Sequence, residues 1–195
     1  AAGVHPLLLA IGSERYTPYM PTKQPAELLT IANRMLGTGQ LSLAKFLFIT
    51  ADENNKLNTH DIQKYFEFVL ERIEFKRDLH FYTNTTIDTL DYSGESLNSG
   101  SKIVFAAYGD IIRKLRNKVP ESLHQHTNEF DFKIVFPGVL AIKTKSFTGY
   151  EQAGNEMNRL NEILKDINSQ KNNNNQIPEE IAMIIVCDDA NFVSE

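Results

Sequence analysis

Two acidic pairs follow apolar runs in this chain: Asp52-Glu53 after LAKFLFITA and Asp188-Asp189 after IAMIIVC. In open α/β sheets ligands bind beyond the carboxyl ends of the strands, and adjacent carboxylates suit a hard cation, so Asp52, Glu53, Asp188 and Asp189 are candidate metal or nucleotide ligands. Acidic residues also open ordinary solvated turns. His124 and His126 flank Gln125, and on an extended backbone they would share a face and could share a metal, with a third ligand brought from elsewhere. A surface loop is the simpler reading, since the spacing demands so little. The basic set Arg113, Lys114, Arg116 and Lys118 suits a phosphate or an acidic partner, as it suits the wet side of a helix. Cys187 ends an apolar run with no base beside it in sequence, which reads as a small core residue. Gly37-Thr38-Gly39 follows a helical pattern and precedes a strand, the reverse of a dinucleotide loop.

The elements that would position these residues follow from periodicity. Residues 4–11 are almost continuously apolar up to Gly12-Ser13, the pattern of a strand buried on both faces. Leu28, Ile31, Ala32, Met35 and Leu36 recur at helical spacing behind Pro25 and before Gly37, predicting a helix over 25–36. Residues 43–50 predict a second buried strand. Asn58 can then cap a helix carrying Ile62, Phe66, Val69 and Ile73. Strand patterns return at residues 79–82 and 102–107, and Ile111, Ile112, Leu115 and Val119 predict a short amphipathic helix before Pro120.

Residues 132–142 are two apolar runs broken by Pro137-Gly138, compatible with two strands and a tight turn or with one kinked strand. Thr148 with Glu151 spells a capping box ahead of the longest helical stripe, carried by Tyr150, Ala153, Met157, Leu160, Leu164 and Ile167. The asparagine tract at residues 169–178 is expected to be an exposed linker or loop, and residues 181–187 a last strand. Alternating strands and helices predict a single α/β domain over residues 1–195. Its sheet is expected to be mixed and largely parallel, with helices on its faces, Rossmann-like in layering but without a dinucleotide fingerprint.

Composition narrows the classes. Of 195 residues, 42% are hydrophobic and 23% charged, which makes an ordinary core and excludes a disordered or low-complexity chain. Twenty Lys and Arg against 25 Asp and Glu leave a net charge of −5, so no overall field attracts nucleic acid. One cysteine forms no internal disulfide, which points to a reducing compartment, the cytoplasm. The longest apolar run, residues 6–12, falls well short of the ~20 residues of a membrane span. The chain stops soon after Asp189, where a helix is expected, so it is read as a fragment of a longer protein, truncated at both ends.

Four stretches carry a family resemblance: HPLLLAIGSERYTPY (residues 5–19), LSLAKFLFITADENN (41–55), RDLHFYTNTTIDTLD (77–91) and GSKI (100–103). Together they resemble the carboxy-terminal region of the UbiD-type decarboxylases, the prenylated-flavin enzymes that include 3-octaprenyl-4-hydroxybenzoate carboxy-lyase. The third stretch is the most specific: Arg-Asp, a strand, then a segment like Asn-Thr-Pro-Ile-Asp-x-Leu-Asp, with Thr86 here in place of the proline. This chain also has Ala51-Asp52-Glu53 where family members often have consecutive aspartates, and Ala106-Ala107-Tyr108 where they have Asp-Ala-Thr.

The resemblance implies a domain that assembles subunits and closes over an upstream flavin-binding domain, and that is inactive by itself. The family's Glu-Arg-Glu proton-transfer set and its Asn, His and Glu metal ligands belong to that upstream domain and have no match here. Glu14-Arg15 is adjacent in sequence, and neighbours on an extended strand point to opposite faces. No cofactor is expected on this fragment; prenylated FMN with a divalent metal is expected in the parent, acting on an aromatic or unsaturated acid, in ubiquinone or menaquinone biosynthesis. The implied partners are the upstream domain and further copies of the protein. By position in the motif, the resemblance implies that Thr86, Ile87, Asp88 and Leu90 line the substrate cavity, with Ile87 and Leu90 offering apolar contact, although both read more simply as local core residues pinning the loop.

Overall fold

The computed structural model describes residues 6–16, 19–54, 56–91, 96–165, 167 and 177–188. The chain divides into two compact units, Ala1–Ile111 and Ile112–Glu195. The fold is mixed α/β, but its strands form three sheets rather than one.

In the first unit, apolar runs become β1 (Leu7–Gly12), β2 (Phe46–Ala51) and β4 (Ser99–Ala107), joined in parallel, with β3 (Leu79–Thr86) antiparallel against β4. The strand order is β1-β2-β4-β3, so β1, expected to be buried on both faces, is an edge strand paired on one side only, and each of its residues is half-buried or exposed. A register shift interrupts β3 between Tyr82 and Thr85, where Asn84 adopts φ 55°, a conformation asparagine tolerates better than most residues. Helix α1 (Ala26–Leu36) lays Leu28 and Ala32 on Leu47, Ile49, Val104 and Ala106, all buried. Each such large aliphatic side chain contributes about 1.5–3 kcal/mol by leaving water.

Pro25, at the N-cap of α1, makes no side-chain cap. Glu14 does that work from the preceding loop, accepting the Leu28 N–H at 2.8 Å, while Glu27 in the first turn accepts the Arg15 N–H at 2.8 Å. Helix α2 (Ile62–Arg72) covers the opposite face, setting Phe66 edge-on against Phe48, which stacks on Phe105 at 4.1 Å. Its cap is Asp61, which accepts the Lys64 N–H, rather than Asn58; Asn58 instead accepts the His60 N–H in the turn before it. A short helix, α3 (Phe75–Asp78), then delivers the chain to β3.

In the second unit the helix expected after Gly109 does not form. Residues 114–115 make β5 (Lys114–Leu115), parallel to β8 (Glu179–Glu180), because Lys114 N–H donates to Pro178 and Arg116 N–H to Glu180 across the pair. Residues 132–142 resolve into a hairpin of β6 (Asp131–Phe136) and β7 (Val139–Lys143), turning at Gly138 with φ 76°, and β9 (Met183–Cys187) adds in parallel to β7. Helix α4 (Tyr150–Leu164) contributes Leu160 to a core with Leu123, Phe130, Leu140, Ile142 and Ile181. Its N-cap is Gly149, and Thr148 bonds Gln152 rather than closing a box with Glu151. Residues 169–176 lie outside the described residues.

Candidate functional site

Because β1, β2 and β4 are parallel, the segments that follow them gather at one end of the first sheet. There Glu14, Arg15, Lys23, Glu53 and Tyr108 line a cleft of about 520 Å³. An adjoining hollow of about 370 Å³ shares Lys23, Glu53 and Tyr108 and adds Asp52, Arg72 and Asp110. Arg77 organises this end. Its guanidinium grips the fully buried Asp78 with two bonds, at 2.5 and 2.8 Å, and reaches the Lys23 carbonyl at 3.3 Å and the Tyr108 carbonyl at 3.2 Å. One side chain thus ties together the loops that bring Lys23 and Tyr108 to the cleft.

The two predicted carboxylates at this end have separate tasks. Asp52 accepts the N–H groups of Asn54, Lys56 and Leu57, at 3.0, 2.5 and 2.6 Å, and so closes the turn after β2. Burial pushes its carboxyl up, but those three donors and the nearby Arg72 charge together hold it below the ordinary aspartate value. Glu53 accepts the hydroxyl of Tyr108. Burial, the Glu53 bond and the charges of Glu53, Glu14 and Asp110 push the Tyr108 hydroxyl up to about 12, so it remains a proton donor at neutral pH. The cleft therefore offers a neutral phenol, carboxylates and the cations Arg15 and Lys23 to a small polar molecule.

Residues 86–91 lie at the other end of the sheet, where β3 hands over to the start of β4. Ile87 is buried, and a Cβ on Gly100 would meet its Cδ1 at 2.7 Å. Asp88 is buried too, accepting the Leu90 N–H on its side chain and the Asp91 N–H on its carbonyl, each at 3.0 Å. Lys45 holds Asp91 at 2.7 Å. Thr86 is exposed and Leu90 is 46% exposed. The predicted cavity residues and the predicted acidic pair after β2 thus stand at opposite ends of one sheet.

In the second unit, Asp188 follows β9 and accepts the Phe147 N–H at 3.5 Å, while Asp189 lies outside the described residues. His124 and His126 occupy a 3₁₀ helix, Glu121–His126, not the extended backbone their pairing requires. His126 faces Glu129 at 3.2 Å, and Arg159 grips the same carboxylate with two bonds of 2.8 Å; the Arg159 and His126 contacts hold Glu129 at about 2. Of the basic set, Arg113 is buried against Glu180 at 2.9 Å and Arg116 reaches the Glu179 carbonyl at 3.2 Å. Cys187 is half-buried and directs its thiol toward the Ile142 carbonyl at 3.7 Å. Among the described residues no three His, Cys, Asp or Glu side chains converge as metal ligands, and no helix is long and apolar enough to cross a membrane.

Lys23 carries no signal in the sequence, Tyr108 stands there only as a departure from the family's Asp-Ala-Thr, and Arg77-Asp78 only as part of a motif. The signal for Tyr108 was its position directly after an apolar strand, the criterion that singled out Asp52.

The β1-α1-β2 unit, helices α2 and α3 and the β3–β4 pair fall within a recognised domain. The chain belongs to the family of the 3-octaprenyl-4-hydroxybenzoate carboxy-lyase C-terminal domain, whose description matches residues 1–107. An uncharacterized protein of Chlamydia caviae is 40% identical over 144 residues, 73% of this chain and 22% of that protein. A Chlamydia pneumoniae protein, named as one of the subunits of 4-hydroxybenzoate decarboxylase, is 44% identical over 114 residues, 58% of this chain and 18% of that protein. The chain therefore spans about a fifth of the length of the curated relatives it matches.

Proposed function

We propose that this chain is the C-terminal domain of a UbiD-like decarboxylase, inactive alone, which supplies contacts between subunits and part of the wall around the substrate. The parent removes carboxylate from an aromatic or unsaturated acid, with quinone biosynthesis as its setting and the cytoplasm as its compartment. In such a parent, prenylated FMN supplies the electron sink for loss of the carboxylate. The described residues of this chain do not fit the divalent metal expected beside that group. No three metal-ligating side chains converge among them, and Asp52, the buried carboxylate at the strand ends, already accepts three backbone N–H groups. Flavin and metal binding therefore belong to the upstream domain in this reading, and this chain takes no chemical step.

The observation that supports the wall role is the pinned loop. Ile87 beneath Gly100 and the Lys45–Asp91 pair hold residues 86–91 at both ends, Asp88 shapes the turn, and Thr86 and Leu90 remain exposed. An apolar side chain on a loop that does not have to order itself on closure suits contact with a ring or prenyl tail.

The test is steady-state decarboxylation by the full-length, flavin-loaded parent. Leu90→Asp is expected to lower kcat/KM about tenfold or more with flavin content unchanged, since even one methylene in such a pocket is worth about 10–200-fold; Leu90→Met should stay close to wild type. Equal kcat/KM in Leu90→Asp overturns the wall role. A flavin-loaded parent that decarboxylates neither aromatic nor unsaturated acids overturns the decarboxylase reading.

A further inference from the structure

Parallel strands are normally covered on both faces. In the first sheet one row breaks that rule: Leu7, Phe46, Ile103 and Phe81 are mutual register partners on β1, β2, β4 and β3, and so share one face. The next row on that face, Leu9, Phe48, Phe105 and Leu79, lies where Phe66 of α2 packs on Phe48. One step toward the amino ends of β1, β2 and β4, Leu7 is 48%, Phe46 40% and Phe81 67% exposed, with Ile103 half-buried between Phe46 and Phe81.

We infer that the row Leu7, Phe46, Ile103 and Phe81 is a docking surface for the remainder of the parent decarboxylase. The inference rests on the reading above, which makes this chain one domain of that parent, and names where the partner sits. The row has no charged or hydrogen-bonding side chain, so its partner is an apolar protein surface, and two of its members are phenylalanines, a residue type enriched at interface cores. The curated relatives are about five times as long as the part this chain matches, so in that parent most of the polypeptide is available to cover it. The row also crosses all four strands of the sheet, so a partner seated on it holds β1 and the β3 edge together.

The experiment places the photocrosslinking residue p-benzoylphenylalanine at Phe81 of the full-length parent, mixing isotope-labelled and unlabelled protein and mapping the crosslinked peptides by mass spectrometry. Crosslinks within one polypeptide, to peptides upstream of this chain, are expected, and Phe46→Ser should lower their yield about tenfold, as removal of an interface anchor does. Crosslinks between labelled and unlabelled copies at the same row make a second copy the occupant and overturn the assignment. A parent that yields no crosslink from position 81 overturns docking altogether. Circular dichroism of Phe46→Ser guards against an unfolded variant, and Leu7→Ser, at the edge strand, is the second probe of the same row. Because crosslinking needs no turnover, an inactive parent that still crosslinks upstream defeats the decarboxylase reading alone, and an active parent with no crosslink defeats this inference alone.

Discussion

Ile87 fills the space that Gly100 leaves open across the β3–β4 hairpin: its Cδ1 stands 2.7 Å from where a Cβ on Gly100 would lie. The closeness explains how a loop between an irregular strand end and a polar connection keeps one shape. Its bottom is a buried isoleucine in a slot that only glycine provides.

Gly100→Ala forces that isoleucine aside and is expected to destabilise the protein by about 1–3 kcal/mol, the usual cost of overpacking. Thermal unfolding should show the midpoint of the transition falling by several degrees. An unchanged midpoint means the loop repacks freely, and would remove the support for a fixed Leu90.

Asp78→Ala leaves the Arg77 guanidinium without its carboxylate and the Glu74 N–H without an acceptor. Arg77 is 39% exposed, so water offsets part of the loss, and about 2–3 kcal/mol is expected rather than the full cost of breaking a buried pair. Urea denaturation measures it. Asp78→Asn should recover part of the loss by keeping an acceptor for one of the bonds.

Asp52 links stability to pH. Its folded-state value lies below the ordinary one, so its contribution is present above about pH 4 and disappears as pH falls through the folded value. Asp52→Ala should be less stable at pH 7 and show a shallower loss between about pH 4 and pH 2 than wild type. Parallel curves across that range would show that the three N–H bonds do not favour the charged carboxylate.

The Tyr108 hydroxyl should titrate near 12, followed by ring-carbon NMR of labelled tyrosine. Glu53→Gln removes the charge and leaves an acceptor, and should move the midpoint down toward the ordinary value of about 10. A midpoint unmoved by Glu53→Gln would leave burial as the cause and take Glu53 out of the account.

Much of the first sheet was legible in the chain. The apolar runs before Gly12 and Ala51 do form strands, though only β2 is buried while β1 takes the sheet edge, and the Pro25 to Gly37 pattern contains its own start and stop signals. The strand-end position of Asp52 and Glu53 followed from the same runs. What escaped was nonlocal. Ile111, Ile112, Leu115 and Val119 have helical spacing, yet the backbone beside them finds acceptors at Pro178 and Glu180, far along the chain, and a strand pair results. Pro137-Gly138 allowed a kink or a turn until β7 paired back on β6.

By itself the sequence determined the family, the strands of the first sheet and the acidic turn after β2, because apolar runs, caps and motifs act within a few residues of themselves. Only the tertiary structure decided that Arg77 bridges the Lys23 and Tyr108 loops, that Ile87 is core while Leu90 is surface, and that an apolar row lies uncovered across four strands. Those outcomes depend on pairing register and on which face a helix covers, and both are set by free-energy differences between segments that meet only when the chain has folded.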